Sequence, residues 1–106
     1  MTKSVYDKEN DIINIYMTSK KPYYSMELSN NVILDFSVTK IPIGIELLDA
    51  SKVLSKLFKR KIEKKELENI HCIINHDDEI YAQFKIKNEE AKLLIPSSYE
   101  SPVVRT

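Results

Sequence analysis

At 106 residues, 42% of them apolar, the chain has the length of one domain and too apolar a composition for a disordered one. Its 16 basic and 16 acidic residues cancel, so bulk charge indicates neither a nucleic-acid-coating protein nor an acidic tail. A single cysteine excludes an intramolecular disulfide and falls far short of a structural zinc site. A single glycine excludes glycine-rich phosphate loops and dinucleotide fingerprints, which need several.

In chain order, residues 11–17 alternate as a strand does, with Ile13, Ile15 and Met17 on one face. After Pro22 a second strand puts Tyr24, Met26 and Leu28 on one face. A three-residue loop at Ser29-Asn30-Asn31 then pairs Leu28 with Val32, Met26 with Leu34 and Tyr24 with Phe36, an apolar partner every time. A two-residue turn at Thr39-Lys40 pairs Val38 with Ile41, Phe36 with Ile43, Leu34 with Ile45 and Val32 with Leu47; a four-residue loop keeps the same faces. Asp35, Gly44 and Glu46 fall together on the opposite face.

Asp49 or Ser51 is the expected cap of the helix that follows. At about 100° per residue, Val53, Leu54, Leu57 and Phe58 form an apolar arc, with Lys52, Lys56, Lys59 and Arg60 opposite. Lys61 would interrupt the apolar stripe, so the helix ends near Arg60, and a short second helix spans about 64–69. Ile70, Cys72 and Ile74 match Ile80, Ala82 and Phe84 across a loop at His76-Asp77-Asp78. A turn at Asn88-Glu89 pairs Ile86 with Ala91, Phe84 with Leu93 and Ala82 with Ile95.

Two blocks of this chain resemble the YuzE-like domain of unknown function family (number 2283). The first is Tyr6-Asp7-Lys8-Glu9-Asn10-Asp11-Ile12-Ile13. The second is Val32-Ile33-Leu34-Asp35 with Gly44-Ile45-Glu46-Leu47-Leu48-Asp49-Ala50-Ser51. The resemblance covers about residues 5–57 and is most specific in the block from Gly44 to Ser51. Where the family usually carries a glycine in its central turn, this chain has Lys40. The resemblance implies a compact β-rich fold with one helix and no assigned activity. Members encoded beside toxin-like partners make an antitoxin-like role one implication. The expected organisation is a single α+β domain over 1–96: 5–60 family-like hairpins and helix, 61–96 a C-terminal strand extension, then a flexible tail at 97–106. Its architecture is a four-stranded antiparallel β-meander with a packed amphipathic helix, followed by a second three-stranded antiparallel meander.

Candidate chemistry is thin. The alternating acids of Asp7, Glu9 and Asp11 superficially suggest a calcium loop, but its sixth and twelfth positions are Ile12 and Thr18 rather than Gly and Glu. A polar turn is the plainer reading. Asp35 and Glu46, beside Gly44, form a possible polar patch; with no His or Cys placed beside them, a solvated sheet face accounts for them. His71 and Cys72 are adjacent on a strand and so face opposite ways, which leaves Cys72 as a core residue. From Lys56 to Lys65 the chain holds six basic residues against one acidic, so Lys52, Lys56, Lys59 and Arg60 are possible nucleic-acid contacts. With no aromatic interleaved, a solvated outer face is the simpler account.

The reading is therefore a non-enzymatic protein-interaction or oligomerisation module, with a homo-oligomer or protein partner. The alternative is a nucleic-acid-binding or antitoxin-like protein using the basic face from Lys52 to Lys65. No catalytic residue, metal or cofactor is expected. No apolar run resembles a signal peptide or approaches the ~20 residues that span a bilayer, so the expected compartment is the cytoplasm.

Overall fold

The computed structural model describes residues 3–18, 21–76 and 80–95, and for His76 and Ile80 the backbone alone. The expected tail at 97–106 and the loop residues Asp77 and Asp78 lie outside the described residues. The elements are β1 (Lys3–Asp7), β2 (Ile12–Tyr16), β3 (Tyr24–Ser29), β4 (Val32–Phe36), β5 (Pro42–Leu47), α1 (Ala50–Phe58), a 3-10 helix (Lys64–Asn69), β6 (His71–His76), β7 (Ile80–Ile86) and β8 (Glu89–Ile95). The class is α+β, with a five-stranded antiparallel sheet, one α-helix and then a three-stranded antiparallel sheet.

The first sheet has the order β1-β2-β5-β4-β3, so it is not a four-stranded meander. The partner of β2 is β5 rather than β3, through Ile13↔Leu47 and Ile15↔Ile45. All four side chains are at most 1% exposed, and this apolar match lets β5 fit between β2 and β4.

The third strand pairs with the fourth through Tyr24↔Phe36 and Met26↔Leu34 as expected, and the two rings stack 4.9 Å apart. Leu28, expected opposite Val32, is instead the extra residue of a bulge, and Ser29 faces Val32. In the next hairpin Val32↔Leu47 and Leu34↔Ile45 hold, but beyond Asp35↔Gly44 the register shifts and Phe36 faces Pro42 in place of Ile43. The loop is longer than Thr39-Lys40: Ser37 N donates to Ile41 O at 2.9 Å, and Lys40 N donates to Ser37 O at 2.9 Å. Lys40 takes the left-handed φ of 68° that favours glycine.

In the second sheet the expected faces meet two residues out of register. Cys72 pairs with Phe84 and Ile74 with Ala82, while Phe84 also pairs with Ala91 and Ala82 with Leu93. The last turn is Lys87-Asn88, with Lys87 at φ 53°. His71 is exposed and Cys72 is 6% exposed, on opposite faces as the alternation requires.

Helix α1 buries Ala50 and Leu54 completely and packs Val53, Leu57 and Phe58 against the core. It ends one to two residues before Arg60, because Lys59 turns left-handed (φ 57°) and Arg60 N reaches back to Ser55 O at 3.2 Å. One buried cluster takes in Ile13, Leu34 and Phe36 of the first sheet, Leu54 and Leu67 of the helices, and Cys72 and Phe84 of the second sheet. Each large side chain buried there contributes roughly 1.5–3 kcal/mol.

Candidate functional site

Among the described residues Asp11 is the one charged residue in the buried set, at 7% exposure, and its setting starts in the turn between β1 and β2. The Asp7 carboxylate accepts Asn10 N at 3.1 Å and Asn10 Nδ2 at 2.8 Å, closing a polar turn. The turn ends on Asp11 in the left-handed conformation, φ 55°, with its carboxylate aimed at the start of α1. Asp11 O accepts Ala50 N at 2.8 Å. Its carboxylate accepts Ser51 N at 3.1 and 3.2 Å, Ser51 Oγ at 2.6 Å and the Tyr6 hydroxyl at 2.8 Å.

The helix is thus capped from 40 residues away in sequence. Neither expected residue caps it: Asp49 is left-handed (φ 50°) with no side-chain capping bond, and Ser51 donates to Asp11 instead of accepting. Burial pushes the Asp11 carboxyl up, but the Ser51 hydroxyl, Tyr6, the Ser51 amide and the charge of Lys64 outweigh it and hold it below the usual carboxylate range. Burial and the bond to Asp11 push the Tyr6 phenol well up. Tyr6, Asp11 and Ser51 look like a catalytic trio in a list of residues, but their geometry is that of a lock. The carboxylate is saturated by donors and stays ionised, the phenol stays protonated, and the serine proton points at the carboxylate.

The patch on the outer face of the first sheet is laid out as the pairing dictates. Gly44 lies opposite Asp35 on one side and Tyr16 on the other, and Glu46 lies between Asn14 and Ile33. Asp35 and Glu46 are therefore diagonal neighbours, about 7–8 Å apart at the backbone. The Asp35 carboxylate accepts the Ser25 hydroxyl at 2.5 Å and lies over Gly44. A Cβ on Gly44 would sit 3.1 Å from Ile15 O and 3.2 Å from Asp35 Oδ2, so glycine here serves close approach rather than a positive φ. Among the described residues there is no group of three or more His, Cys, Asp or Glu placed to hold a metal.

The basic stretch divides. Lys52, Lys56, Lys61, Lys64 and Lys65 line a groove of about 830 Å³ between α1 and the 3-10 helix. Lys59 is exposed at the end of α1 and does not line it. Arg60 turns away altogether. Its Nε donates to both Glu89 oxygens at 3.0 Å, and its terminal nitrogens donate to Glu66 at 2.7 and 3.3 Å and to Lys61 O at 2.9 Å. Hydrogen bonds from Arg60 draw the Glu66 carboxyl down to about 2. Arg60 thus fastens α1, the 3-10 helix and β8 together.

The buried Cys72 thiol is pushed up to about 12 by burial, which keeps it a thiol. Among the described residues no helix is long and apolar enough to cross a membrane.

These features define a small two-sheet α+β protein whose N-terminal hairpin is locked to a helix start by a buried carboxylate. Residues 3–51 match a family described as protein of unknown function (DUF2283), in agreement with the resemblance read from the sequence. The match ends at Ser51, the last residue of the lock, and leaves the second sheet outside it. No curated protein and no solved structure matches the chain.

Proposed function

We propose that the protein is a non-enzymatic interaction module that associates with a second copy of itself through the open end of the first sheet. The observation that carries this reading is a cluster of exposed apolar side chains beside an edge strand. Tyr23, Val38 and Ile41, exposed by 70%, 68% and 47%, line one groove of about 420 Å³ where β3 begins. Water-facing apolar side chains grouped in this way favour contact with protein, and β3 is an edge strand of its sheet, the geometry that pairs with another strand. The bulge at Leu28 leaves the Tyr24 end of β3 as its regular half.

Light scattering over a concentration series tests it. The wild type is expected to dimerise, and a Tyr23→Ser, Val38→Ser, Ile41→Ser variant to stay monomeric with unchanged circular dichroism. A wild type that stays monomeric up to millimolar concentration would sink the proposal.

A second reading, nucleic-acid binding or an antitoxin-like role, is supported by the lysine-lined groove beside α1. A gel shift at low salt tests it, and failure to retard any nucleic acid would dispose of it.

A further inference from the structure

Taking the second reading as its basis, we infer that the groove between α1 and the 3-10 helix seats the phosphate backbone of double-stranded DNA, without reading its sequence, through Lys52, Lys56, Lys64 and Lys65.

The first support is the charge that remains after internal partners are subtracted. Among the described residues five lysines line the groove, and Lys61 lies 3.6 Å from Glu63, the one acidic residue of that lining. Lys52, Lys56, Lys64 and Lys65 make no ion pair within 4 Å among the described residues, Lys64 acting on Asp11 only from farther away. Four such lysines lining one concave surface suit a polyanion, since each can neutralise a phosphate and release its counterion. A flat helix face would offer the same charges only in a line. The concavity comes from the chain turning at Lys59 and running back along α1, anchored where Ile62 N donates to Ser55 Oγ at 2.8 Å.

The second support is what the groove lacks. Its serines are committed internally: Ser51 Oγ donates to Asp11 at 2.6 Å, and Ser55 Oγ donates to Ser51 O at 2.6 Å. Arg60, the arginine among the described residues, has its fork held by Glu66 and Glu89 and cannot present it to a base edge. Among the described residues no aromatic side chain lines the groove, so bases of a single strand find nothing there to stack on. With Asn31 the remaining neutral hydrogen-bonding side chain, a ribose 2′-hydroxyl has little to meet. What is left is a set of point charges, which fits a duplex backbone and discriminates between sequences hardly at all.

Fluorescence anisotropy of labelled 20-base-pair DNA duplexes of unrelated sequence, titrated with the full chain at several salt concentrations, tests this. Four phosphate contacts predict a log–log salt slope of about −3.6 for every duplex. Lys56→Ala or Lys64→Ala should each lower that slope by about one, while Lys59→Ala, outside the groove, leaves it unchanged. The Lys52→Glu, Lys56→Glu, Lys64→Glu, Lys65→Glu variant, folded by circular dichroism, should not bind. Absence of wild-type binding even at low salt would remove the nucleic-acid reading itself. Binding that ignores the four lysines would keep that reading and overturn the groove as its site. A preference for single strands, for an RNA duplex or for one DNA sequence would overturn the backbone mode. The single alanine variants and the wild-type slope decide the matter even if the fourfold variant does not fold.

Discussion

Asp11 concentrates in one side chain what most proteins spread over a capping residue and its neighbours. Three donors converge on it from Tyr6 and Ser51, and a buried donor left without its acceptor carries its own desolvation cost. Asp11→Ala is therefore expected to cost about 2–4 kcal/mol in urea unfolding. Asp11→Asn keeps a residue type that tolerates the left-handed φ of 55°, but turns one acceptor oxygen toward those donors, so it should lose less. Ser51→Ala combined with Asp11→Ala should cost little more than Asp11→Ala alone, since both remove the same bonds; full additivity would mean the lock is not a unit. The sequence displays Asp11 only as one of several alternating acids. Its burial is created by Ser51, distant in sequence, and no local pattern encodes that contact. The hint available beforehand was Tyr6 ahead of the turn and Ser51 at the helix start, both inside the blocks that carry the family resemblance.

At the scale of elements, a chain with one glycine must bend by other means. Asp11, Lys40, Asp49, Lys59 and Lys87 all carry positive φ, while Gly44 does not. Lys40 is exposed and left-handed, so Lys40→Gly exchanges the strain of a Cβ, about 1–2 kcal/mol, for about 0.5–1 kcal/mol of chain entropy. The expected result is a gain of roughly 0.5–1 kcal/mol by urea unfolding; a loss would contradict the strain assigned to this turn. Gly44→Ala should go the other way by about 1–3 kcal/mol, because the new methyl meets backbone at Ile15 O. Adding Asp35→Ala removes the contact with Oδ2 but not the one with the carbonyl, so rescue should be partial.

The same scale explains which parts of the fold were legible. Faces were, because alternation marks every second residue: the buried residues of β2, β4, β6, β7 and β8 are the alternating apolar ones, whereas β1 leaves Val5 44% exposed. Registers shifted by two were not, because such a shift leaves every face intact, as in β6-β7-β8. The bulge residues Leu28 and Ile43 were invisible for a related reason: a bulge adds one residue whose cause lies in the partner strand. Of the candidate site, Lys52 and Lys56 were readable from helix periodicity, whereas the fate of Arg60 depended on Glu89 from another sheet.

For the whole molecule, the shared core and the Arg60 clamp argue that both sheets unfold together. The buried cluster draws on both, and Arg60 links α1 to Glu66 of the 3-10 helix and Glu89 of β8. That clamp should leave a signature in acid. Hydrogen bonds from Arg60 lower the Glu66 carboxyl from 4.5 to about 2, and Glu89 is lowered by the same guanidinium. A carboxyl depressed in the folded state contributes stability above its unfolded value, and that contribution disappears as pH falls through the folded one. Wild-type protein should thus lose thermal stability progressively between about pH 4.5 and about pH 2 through these two groups. Arg60→Gln should be less stable at pH 7 and should show a shallower loss across that window, because its carboxylates no longer gain from folding. Far-ultraviolet and tyrosine signals followed against temperature at each pH measure both points. Coincident transitions are expected for the wild type, since a core continuous across the two sheets leaves neither a separate one to melt. Two resolved transitions would break the inference of a single cooperative unit, and parallel pH profiles for the two proteins would show that Arg60 is not what holds Glu66 and Glu89 ionised.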